Sequence, residues 1–149
     1  MARKIDIINR KIFREYELIE RYTAGLQLVG TEIKSIRLGK ATLSDAWCYF
    51  KSGELFVKGM NIARYEQGTH YNHVPDRDRK LLLTRHELRK LERKVRERGF
   101  TIVVIRLFIT DAGYAKAEIA LARGKAIYDK RQDIKRRDLD RETGRKFKS

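Results

Sequence analysis

Two pairs of short β-type segments, each joined by a tight turn, limit the folds open to this 149-residue chain more than any other feature. In the first pair, residues 47–50 and 55–60 are rich in aromatic and branched side chains and flank a short polar stretch. Ser52 and Gly53 lie within that stretch, where they can supply the positive φ that a tight hairpin turn requires. The pattern predicts an antiparallel β-hairpin.

The second pair covers residues 101–110 and 115–121, on either side of a turn at residues 111–113. The first of these segments is rich in β-branched residues, which favour strands. In the second segment apolar residues alternate with polar ones such as Lys116 and Glu118, so one face of this strand is expected to be solvated. A second antiparallel hairpin is therefore predicted.

A helix is predicted over residues 84–98. Thr84 and Glu87 have the spacing of a capping box, in which each side chain satisfies a backbone N–H group of the other residue. Gly99 can end the helix in a left-handed conformation. The apolar side chains at helical spacing are Leu88, Leu91 and Val95.

Residues 13–29 show period-two alternation interrupted by glycine, and they are expected to form two strands with Gly25 and Gly30 as punctuation. A short helix is expected to follow, with Thr31 able to cap its start and Gly39 able to end it.

Residues 65–80 have no periodicity and contain Pro75, the single proline, so they are expected to form an exposed loop. Its aromatic, imidazole and amide side chains could stack and form hydrogen bonds on unpaired nucleotides, or simply be solvated. A metal site is the third alternative, although the spacing of its candidate ligands matches no closed site. These candidates are His70, Tyr71, Asn72 and His73 for nucleotides, and His70, His73, Asp76 and Asp78 for a metal.

Several antiparallel strands with one long and one short helix predict an α+β domain or a small β-barrel with peripheral α-helices. A mainly β barrel is favoured because closure removes exposed sheet edges, and small barrels are common RNA-binding scaffolds. Cys48 is the only cysteine, which excludes an internal disulfide and a zinc site built on paired cysteines, and a buried, inert thiol is expected.

The chain has 35 Lys and Arg residues against 20 Asp and Glu residues, a formal net charge of +15. Such an excess predicts a polyanionic partner: RNA, DNA or an anionic membrane surface. The longest apolar run is interrupted by Arg106 and falls well short of the roughly 20 residues that span a bilayer. The N-terminus lacks the apolar core of a secretory signal, so a cytoplasmic protein without a membrane association is expected.

The composition changes at Gly124. Residues 124–149 contain ten Lys or Arg and five Asp or Glu but few apolar residues, so this tail is expected to be disordered until it is bound. Opposite charges at i, i+4 spacing, such as Asp133 with Arg137, allow a helix to form on a phosphate-rich partner. A generic polybasic arm is the alternative. The domains are thus residues 1–123 and 124–149.

Separated short segments of the chain resemble the family of SsrA-binding proteins (SmpB), the partners of transfer-messenger RNA in bacterial ribosome rescue. The resemblance covers roughly residues 8–138. The matching segments are residues 8–11 (INRK), 15–16 (EY), 24–26 (AGL), 30–37 (GTEIKSIR), 39–45 (GKATLSD), 71–73 (YNH), 77–83 (RDRKLLL), 124–131 (GKAIYDKR) and 133–138 (DIKRRD).

The resemblance implies a closed six-stranded antiparallel barrel, partly similar to the OB fold, with a C-terminal tail that is disordered when free. It implies a monomer without catalytic activity, cofactor or bound metal. Its RNA partner would be the tRNA-like domain of transfer-messenger RNA, which elongation factor Tu also binds. Its second partner would be the ribosome, where the tail would lie as a helix in the empty mRNA channel beside the decoding centre.

The resemblance also assigns residues to these two partners. The residues expected to bind transfer-messenger RNA are Asn9, Arg10, Lys11, Ala24, Gly25, Lys34, Arg37, Lys40, Arg79, Lys80, Leu82 and Lys116. The residues expected to bind the ribosome are Gly124, Lys125, Tyr128, Asp129, Lys130, Arg131, Ile134, Lys135, Arg136 and Arg137.

Some of these assignments have alternatives. Leu82 could belong to the core rather than the interface, and Lys116 could be an ordinary surface lysine. The chain departs from the family at Thr23, where the family commonly has Glu, so a carboxylate contact to RNA is not carried over to this position. The alternative functions are a general structured-RNA or ribosomal RNA-binding protein, and a metal-dependent nuclease.

Overall fold

The computed structural model describes residues 5–68 and 72–125. These residues form a mainly β structure, which confirms the predicted fold class at that level. The elements in chain order are β1 (Asp6–Ile8), α1 (Lys11–Glu15), β2 (Tyr16–Leu26), α2 (Gly30–Arg37), β3 (Ala41–Thr42), β4 (Trp47–Lys51), β5 (Glu54–Lys58), β6 (Asn61–Ile62), β7 (Arg79–Leu82), α3 (Arg85–Arg98), β8 (Thr101–Ile109) and β9 (Ala115–Gly124).

One antiparallel sheet contains most of these strands, in the order β1-β8-β4-β5-β7-β2-β9. Because β9 also pairs with β8, the strands from β8 to β9 form a ring, and β1 extends the sheet from β8. The short strands β3 and β6 pair separately. A ring of sheet has an inner face for a core and an outer face for binding.

Both predicted hairpins are confirmed. Strands β4 and β5 are joined by Ser52 and Gly53, whose φ angles of 53° and 77° are both positive. Strands β8 and β9 pair antiparallel across the turn at residues 111–113. In both hairpins the turn residues and the alternation of side chains along the strands predict the pairing that the structure contains.

The core fills the inner face of the ring. It includes the fully buried side chains of Leu55, Leu81 and Ile119, and α3 contributes Leu88 and Leu91 to the same cluster. The thiol of the single cysteine is also buried there, as predicted, and burial raises its pKa. None of the helices within residues 5–68 and 72–125 is long and apolar enough to cross a membrane.

The helix α3 begins and ends as predicted. Thr84 Oγ1 accepts a hydrogen bond from the Glu87 N–H group at 3.2 Å, and the Glu87 carboxylate accepts one from the Thr84 N–H group at 3.0 Å. Gly99 ends the helix with a φ of 67°.

A second, smaller apolar cluster lies on the outer face. Ile12 of α1 packs against a patch formed by Val103, Ile105, Ala120 and Ala122, and all five side chains are buried. The expectation that one face of β9 is solvated is therefore wrong at its C-terminal half, because α1 covers it.

The expectation of two strands in residues 13–29 is wrong. Residues 13–15 belong to α1, and β2 continues without interruption through Gly25. Gly25 lies inside the strand because Leu82 of the neighbouring strand occupies the space beside it: a Cβ atom on Gly25 would lie 3.3 Å from Leu82 Cβ.

The short helix α2 is confirmed, but its predicted N-cap is wrong. The N-cap is Val29, whose N–H group donates to the Glu32 carboxylate at 2.9 Å. Thr31 instead forms a hydrogen bond with His73, at 2.9 Å between Oγ1 and Nδ1. Gly39, with a φ of 74°, follows the helix as predicted.

Residues 65–80 do not form a uniformly exposed loop. His73 is buried, and its Nε2 atom lies 2.9 Å from the Ile62 carbonyl oxygen. Arg79 is fully buried at the start of β7. Buried polar partners elsewhere in the chain hold this segment against the ring.

Candidate nucleic-acid interface

The segment before β7 is joined to α2 by buried charges. Glu32 is fully buried, and its carboxylate accepts hydrogen bonds from Arg77 Nη2 at 2.5 Å and from Arg79 Nε at 2.6 Å. Arg79 also donates to the carbonyl oxygens of Met60 at 2.5 Å and Pro75 at 2.9 Å. The network fixes the position of α2 relative to β7.

The charge on Glu32 is maintained by its donors. Burial alone would raise the pKa of this carboxyl group, but the hydrogen bonds from Arg77, the Val29 N–H group and Arg79 together hold the pKa below its ordinary value. Arg79 was expected to contact RNA, and this expectation is corrected: its guanidinium group is used inside the protein and positions β7.

Three expected RNA-binding residues lie side by side on adjacent strands. In the strand register Gly25 of β2 is opposite Leu82 of β7 on one side and Lys116 of β9 on the other. Leu82 is 48% exposed, so the alternative that it belongs to the core is wrong. Lys116 is partly exposed between two buried alanines of β9. We call this set of three residues the Gly25 row.

The Gly25 row combines an apolar group and a cationic group on the outer face of the sheet. Gly25 has no side chain of its own, and the Leu82 side chain occupies the space beside it, with its nearest atom 3.3 Å from the position of a Cβ atom. Lys116 lies on the other side of Gly25 in the register. A phosphate group can therefore bind at Lys116 while an apolar group of the ligand packs on Leu82.

A second cationic group lies at α2 and the turn after it, where Lys34, Arg37 and Lys40 are all exposed. Lys34 Nζ lies 5.4 Å from the centroid of the Tyr65 ring. Lys40 Nζ lies 3.5 Å from the exposed carboxylate of Glu66. These contacts hold the long cationic side chains near the turn at residues 65–68 while leaving them open to a ligand.

Lys80 belongs to the same outer face as Leu82, two residues along β7, and lies 3.5 Å from the Glu54 carboxylate. The remaining cations that were expected to bind RNA are near α1. Arg10 is the exposed N-cap of this helix, and Lys11 Nζ lies 3.8 Å from the Glu15 carboxylate. The structure thus places the expected cations in three groups: the outer face of β7 and β9, α2, and α1.

Two other expected RNA-binding residues have internal side chains. Ala24 is fully buried in the core of the ring. Asn9 is also buried, and its amide group donates to the carbonyl oxygens of Leu43 at 2.9 Å and Val104 at 3.3 Å. The expectation of direct side-chain contact is therefore corrected for both, since Ala24 packs in the core and the Asn9 amide links the segment after β1 to β8.

The two described loop residues that were candidates for nucleotide contact have other partners. The Asn72 amide binds the backbone of Tyr65 and Gly68, and it thereby closes the turn between them. His73 binds Thr31 and Ile62. The side chains of Asn72 and His73 are thus used within the protein, while His70 and Tyr71 lie outside the described residues.

Among the described residues, the metal and nuclease alternatives have no site. His73 is bound as above, and Asp78 accepts a hydrogen bond from the Tyr49 hydroxyl group at 2.5 Å. Within residues 5–68 and 72–125, no group of three or more His, Cys, Asp or Glu residues has the geometry to hold a metal ion.

Thr23 is exposed on β2, opposite Glu118 on β9. The Glu118 carboxylate accepts hydrogen bonds from Arg21 at 3.2 Å and from Arg106 at 3.0 Å. A carboxylate therefore lies on the strand next to Thr23. The sequence patterns do not single out this cluster, because its members come from β2, β8 and β9.

Only the start of the expected ribosome-binding tail falls within the described residues. Gly124 is the last residue of β9 and pairs with Tyr16, and Lys125 Nζ donates to the Phe13 carbonyl oxygen at 3.2 Å. Gly124 is thus part of the ring, and Lys125 contacts α1. The other expected tail residues lie outside the described residues: Tyr128, Asp129, Lys130, Arg131, Ile134, Lys135, Arg136 and Arg137.

Comparison with known proteins shows to which family this chain belongs. The family model described as SmpB protein matches residues 7–149. The chain belongs to the SmpB family. This membership confirms the resemblance found in the sequence segments.

Relatives in the SmpB family are similar over nearly the whole chain. The SsrA-binding protein of Phocaeicola vulgatus is 56% identical over 144 residues, which are 97% of this chain and 96% of the relative. The SsrA-binding protein of Salinispora tropica is 49% identical over 144 residues, which are 97% of this chain and 90% of the relative.

A solved structure of an SmpB protein has a similar fold. It is described as "tmRNA-SmpB: a journey to the center of the bacterial ribosome" and superposes with a TM-score of 0.68 at 44% sequence identity. The match covers 81% of this chain and 85% of that chain.

Proposed function

We propose that this protein binds the tRNA-like domain of transfer-messenger RNA and delivers it to stalled ribosomes for trans-translation. It acts as an adaptor and catalyses no reaction. Elongation factor Tu takes part through the RNA, and the place of action is the cytoplasm. The observation that carries the proposal is membership of the SmpB family over residues 7–149, together with 44% identity to the SmpB chain of the tmRNA-SmpB structure.

The RNA is held on the outer face of the ring. The support is the Gly25 row, in which the exposed Leu82 and the partly exposed Lys116 lie on either side of Gly25. Exposed cations on α2 and at the start of α1 are also available to phosphates, and a formal charge of +15 favours a polyanion throughout.

The ring is a closed barrel of six strands, similar in part to the OB fold. In support, β8 pairs with both β4 and β9, so that the pairings from β8 through β4, β5, β7 and β2 to β9 return to β8. Barrels of this kind bind nucleic acids on their outer strands and loops.

The barrel and the tail divide the work. The barrel recognises the RNA. The basic tail, residues 124–149, binds in the mRNA channel beside the decoding centre when this channel is empty. The support is the composition of the tail, whose ten Lys or Arg residues favour a phosphate-rich partner.

Truncation tests this division. Because Gly124 pairs with Tyr16 and Lys125 binds the Phe13 carbonyl group, the cut is placed after Lys125. The truncated protein is expected to bind transfer-messenger RNA with nearly unchanged affinity in a filter-binding assay, and to support no tagging in a translation assay on stalled ribosomes. Loss of RNA affinity on truncation would contradict the division of labour.

Competition tests the identity of the RNA. At near-physiological salt, where purely electrostatic binding is weak, transfer-messenger RNA is expected to displace a labelled copy far better than a random RNA of equal length. Equal competition by both RNAs would instead favour a general structured-RNA or ribosomal RNA-binding protein, a function that the net charge alone supports.

Point variants test the surface. Lys116→Ala and Leu82→Ala are expected to weaken binding of transfer-messenger RNA. Arg93→Ala serves as the matched control for lost charge, because Arg93 is exposed on α3. Equal losses for Lys116→Ala and the control would show that total charge, and not the Gly25 row, determines affinity.

A further inference from the structure

The outer face of the first hairpin carries a cluster of aromatic rings to which neither the sequence patterns nor the Gly25 row assigns a role. Trp47 and Tyr49 of β4 have ring centroids 5.7 Å apart, and Tyr49 and Phe56 of β5 have centroids 5.7 Å apart with planes inclined by 21°. Trp47 is 46% exposed, and the other two rings are half-buried. We call these three residues the aromatic face.

The rings face outward because of strand alternation. Cys48, Leu55 and Val57 are the inward neighbours of these residues and are buried in the core. A cluster of three large rings on the outer side of a sheet contributes little to that core. It leaves apolar, flat surface open to solvent, which is the form of surface that binds planar ligands.

Cations surround the aromatic face. In the strand register Trp47 is opposite Lys58, and Phe56 is opposite Lys80. Lys51 follows at the end of β4, and Lys51 and Lys58 are exposed without an acidic partner within the described parts of the chain. Two carboxylates adjoin the face: Glu54 lies 3.5 Å from Lys80, and Asp78 accepts the hydrogen bond of the Tyr49 hydroxyl group, which fixes that ring and raises the pKa of Tyr49.

The aromatic face is continuous with the Gly25 row. Lys80 is opposite Phe56, and Leu82, two residues further along β7, is opposite Gly25. A strand of RNA that crosses the Gly25 row therefore has a direct path along β7 onto the rings.

We infer that the aromatic face binds unpaired nucleotides of RNA, whose bases stack on the rings while the surrounding lysines attract the phosphates. Stacking on aromatic side chains within a cationic surface is the usual means by which sheet proteins bind single-stranded RNA. The inference rests on the proposed function for the presence of RNA, and it adds a site for bases that the Gly25 row, which offers no ring, does not provide.

Trp47 reports on this site directly because it is the only tryptophan in the chain. A stacked base is expected to quench its fluorescence. The full-length protein is titrated with an unstructured RNA of about eight nucleotides, a length that fits one small barrel. The same RNA as a duplex has its bases stacked internally, and it is expected to quench far less at equal phosphate concentration.

Point variants distinguish the contribution of the aromatic rings to RNA binding from that of the charges. Tyr49→Leu and Phe56→Leu are expected to weaken binding of the single-stranded RNA by about tenfold each. Tyr49→Phe keeps the ring but loses the bond to Asp78, so its affinity is expected to remain close to that of the wild type. Tyr114→Leu is the matched control, since Tyr114 is 68% exposed at the β8–β9 turn. Circular dichroism of each variant checks the fold.

The source of the nucleotides is determined by two further titrations, one with the tRNA-like domain of transfer-messenger RNA and one with small ribosomal subunits. Quenching of Trp47 by the first assigns the aromatic face to that RNA, and quenching by the second alone assigns it to ribosomal RNA. If neither quenches Trp47 while filter binding shows that transfer-messenger RNA is bound, the inference fails and the proposed function stands. A fluorescence change that depends on protein concentration without RNA would also overturn it, because a second copy of the chain would then cover the rings.

Discussion

At the scale of single residues, the fully buried carboxylate of Glu32 joins two separate parts of the chain. It connects α2 with the segment before β7 through Arg77 and Arg79. A charge inside a protein is tolerated only when partners compensate for the lost hydration, and removal of one partner leaves the others uncompensated. The positions of Lys34 and Arg37 on α2 therefore depend on a residue that does not touch the ligand.

Glu32→Ala is expected to lower the free energy of unfolding by about 3–5 kcal/mol, because the buried Arg79 would lose its counter-charge. Urea denaturation at neutral pH measures this change. The matched control is Glu54→Ala, which removes an exposed carboxylate 3.5 Å from Lys80 and is expected to change the free energy by less than about 1 kcal/mol. Similar values for the two variants would contradict the assigned role of Glu32.

The lowered pKa of Glu32 also predicts that the free energy of unfolding decreases at acid pH. Its pKa is lowered in the folded protein from an ordinary value of 4.5, so the folded state binds fewer protons than the unfolded state in that range. The stabilisation is complete above the unfolded pKa and is lost as the pH falls through the lowered folded pKa. Denaturation curves between neutral pH and about pH 3 are expected to show a smaller fall in stability for Glu32→Gln than for the wild type. An equal fall would contradict the prediction.

At the scale of elements, α3 has a capping box at its start, a glycine at its end and a buried apolar face. Its apolar residues Leu88 and Leu91 join the core, while Lys94 forms an ion pair with Glu20 of β2. Glu20 in turn accepts a hydrogen bond from Tyr22 at 2.6 Å, and burial together with this bond raises the pKa of Tyr22 to about 12. The helix is thus fixed to the ring through both apolar and polar contacts.

Thr84→Ala is expected to lower the free energy of unfolding by about 1 kcal/mol, since the Glu87 N–H group would lose its acceptor. Thermal denaturation followed by circular dichroism measures the change. Thr42→Ala is the control, because Thr42 is exposed in β3 and its side chain forms no hydrogen bond within the described residues. A loss no greater than that of the control would show that the cap contributes nothing to the stability of α3.

At the scale of the whole molecule, the charge of +15 sets the strength and the salt dependence of RNA binding. Each phosphate contact releases a condensed counter-ion, so the slope of log affinity against log salt counts the contacts. Contacts made by rings and apolar groups do not contribute to this slope.

Lys116→Ala is therefore expected to lower the magnitude of the salt slope for transfer-messenger RNA by about 1, with a loss of affinity at every salt concentration. Leu82→Ala is expected to lower the affinity while the slope stays unchanged. Filter binding over a range of salt concentrations measures both. An unchanged slope for Lys116→Ala would show that Lys116 does not contact a phosphate.

The sequence by itself determined the features that depend on neighbours along the chain. The Ser52-Gly53 turn, the Thr84–Glu87 capping box and the Gly99 stop follow from local backbone preferences, which act over a few residues. The net charge, and with it the class of partner, follows from counting residues. The resemblance to the SmpB family also lay in short local segments.

Only the tertiary structure decided which residues are exposed. Arg79 and Ala24 lie in segments that match the family, as Leu82 does, yet Arg79 and Ala24 are buried and Leu82 is exposed. The register between strands and the position of Glu32 determine which side chains face inward. The Gly25 row is assembled from β2, β7 and β9, which are distant in sequence. Burial and proximity across strands depend on contacts between distant segments, and no local pattern contains that information.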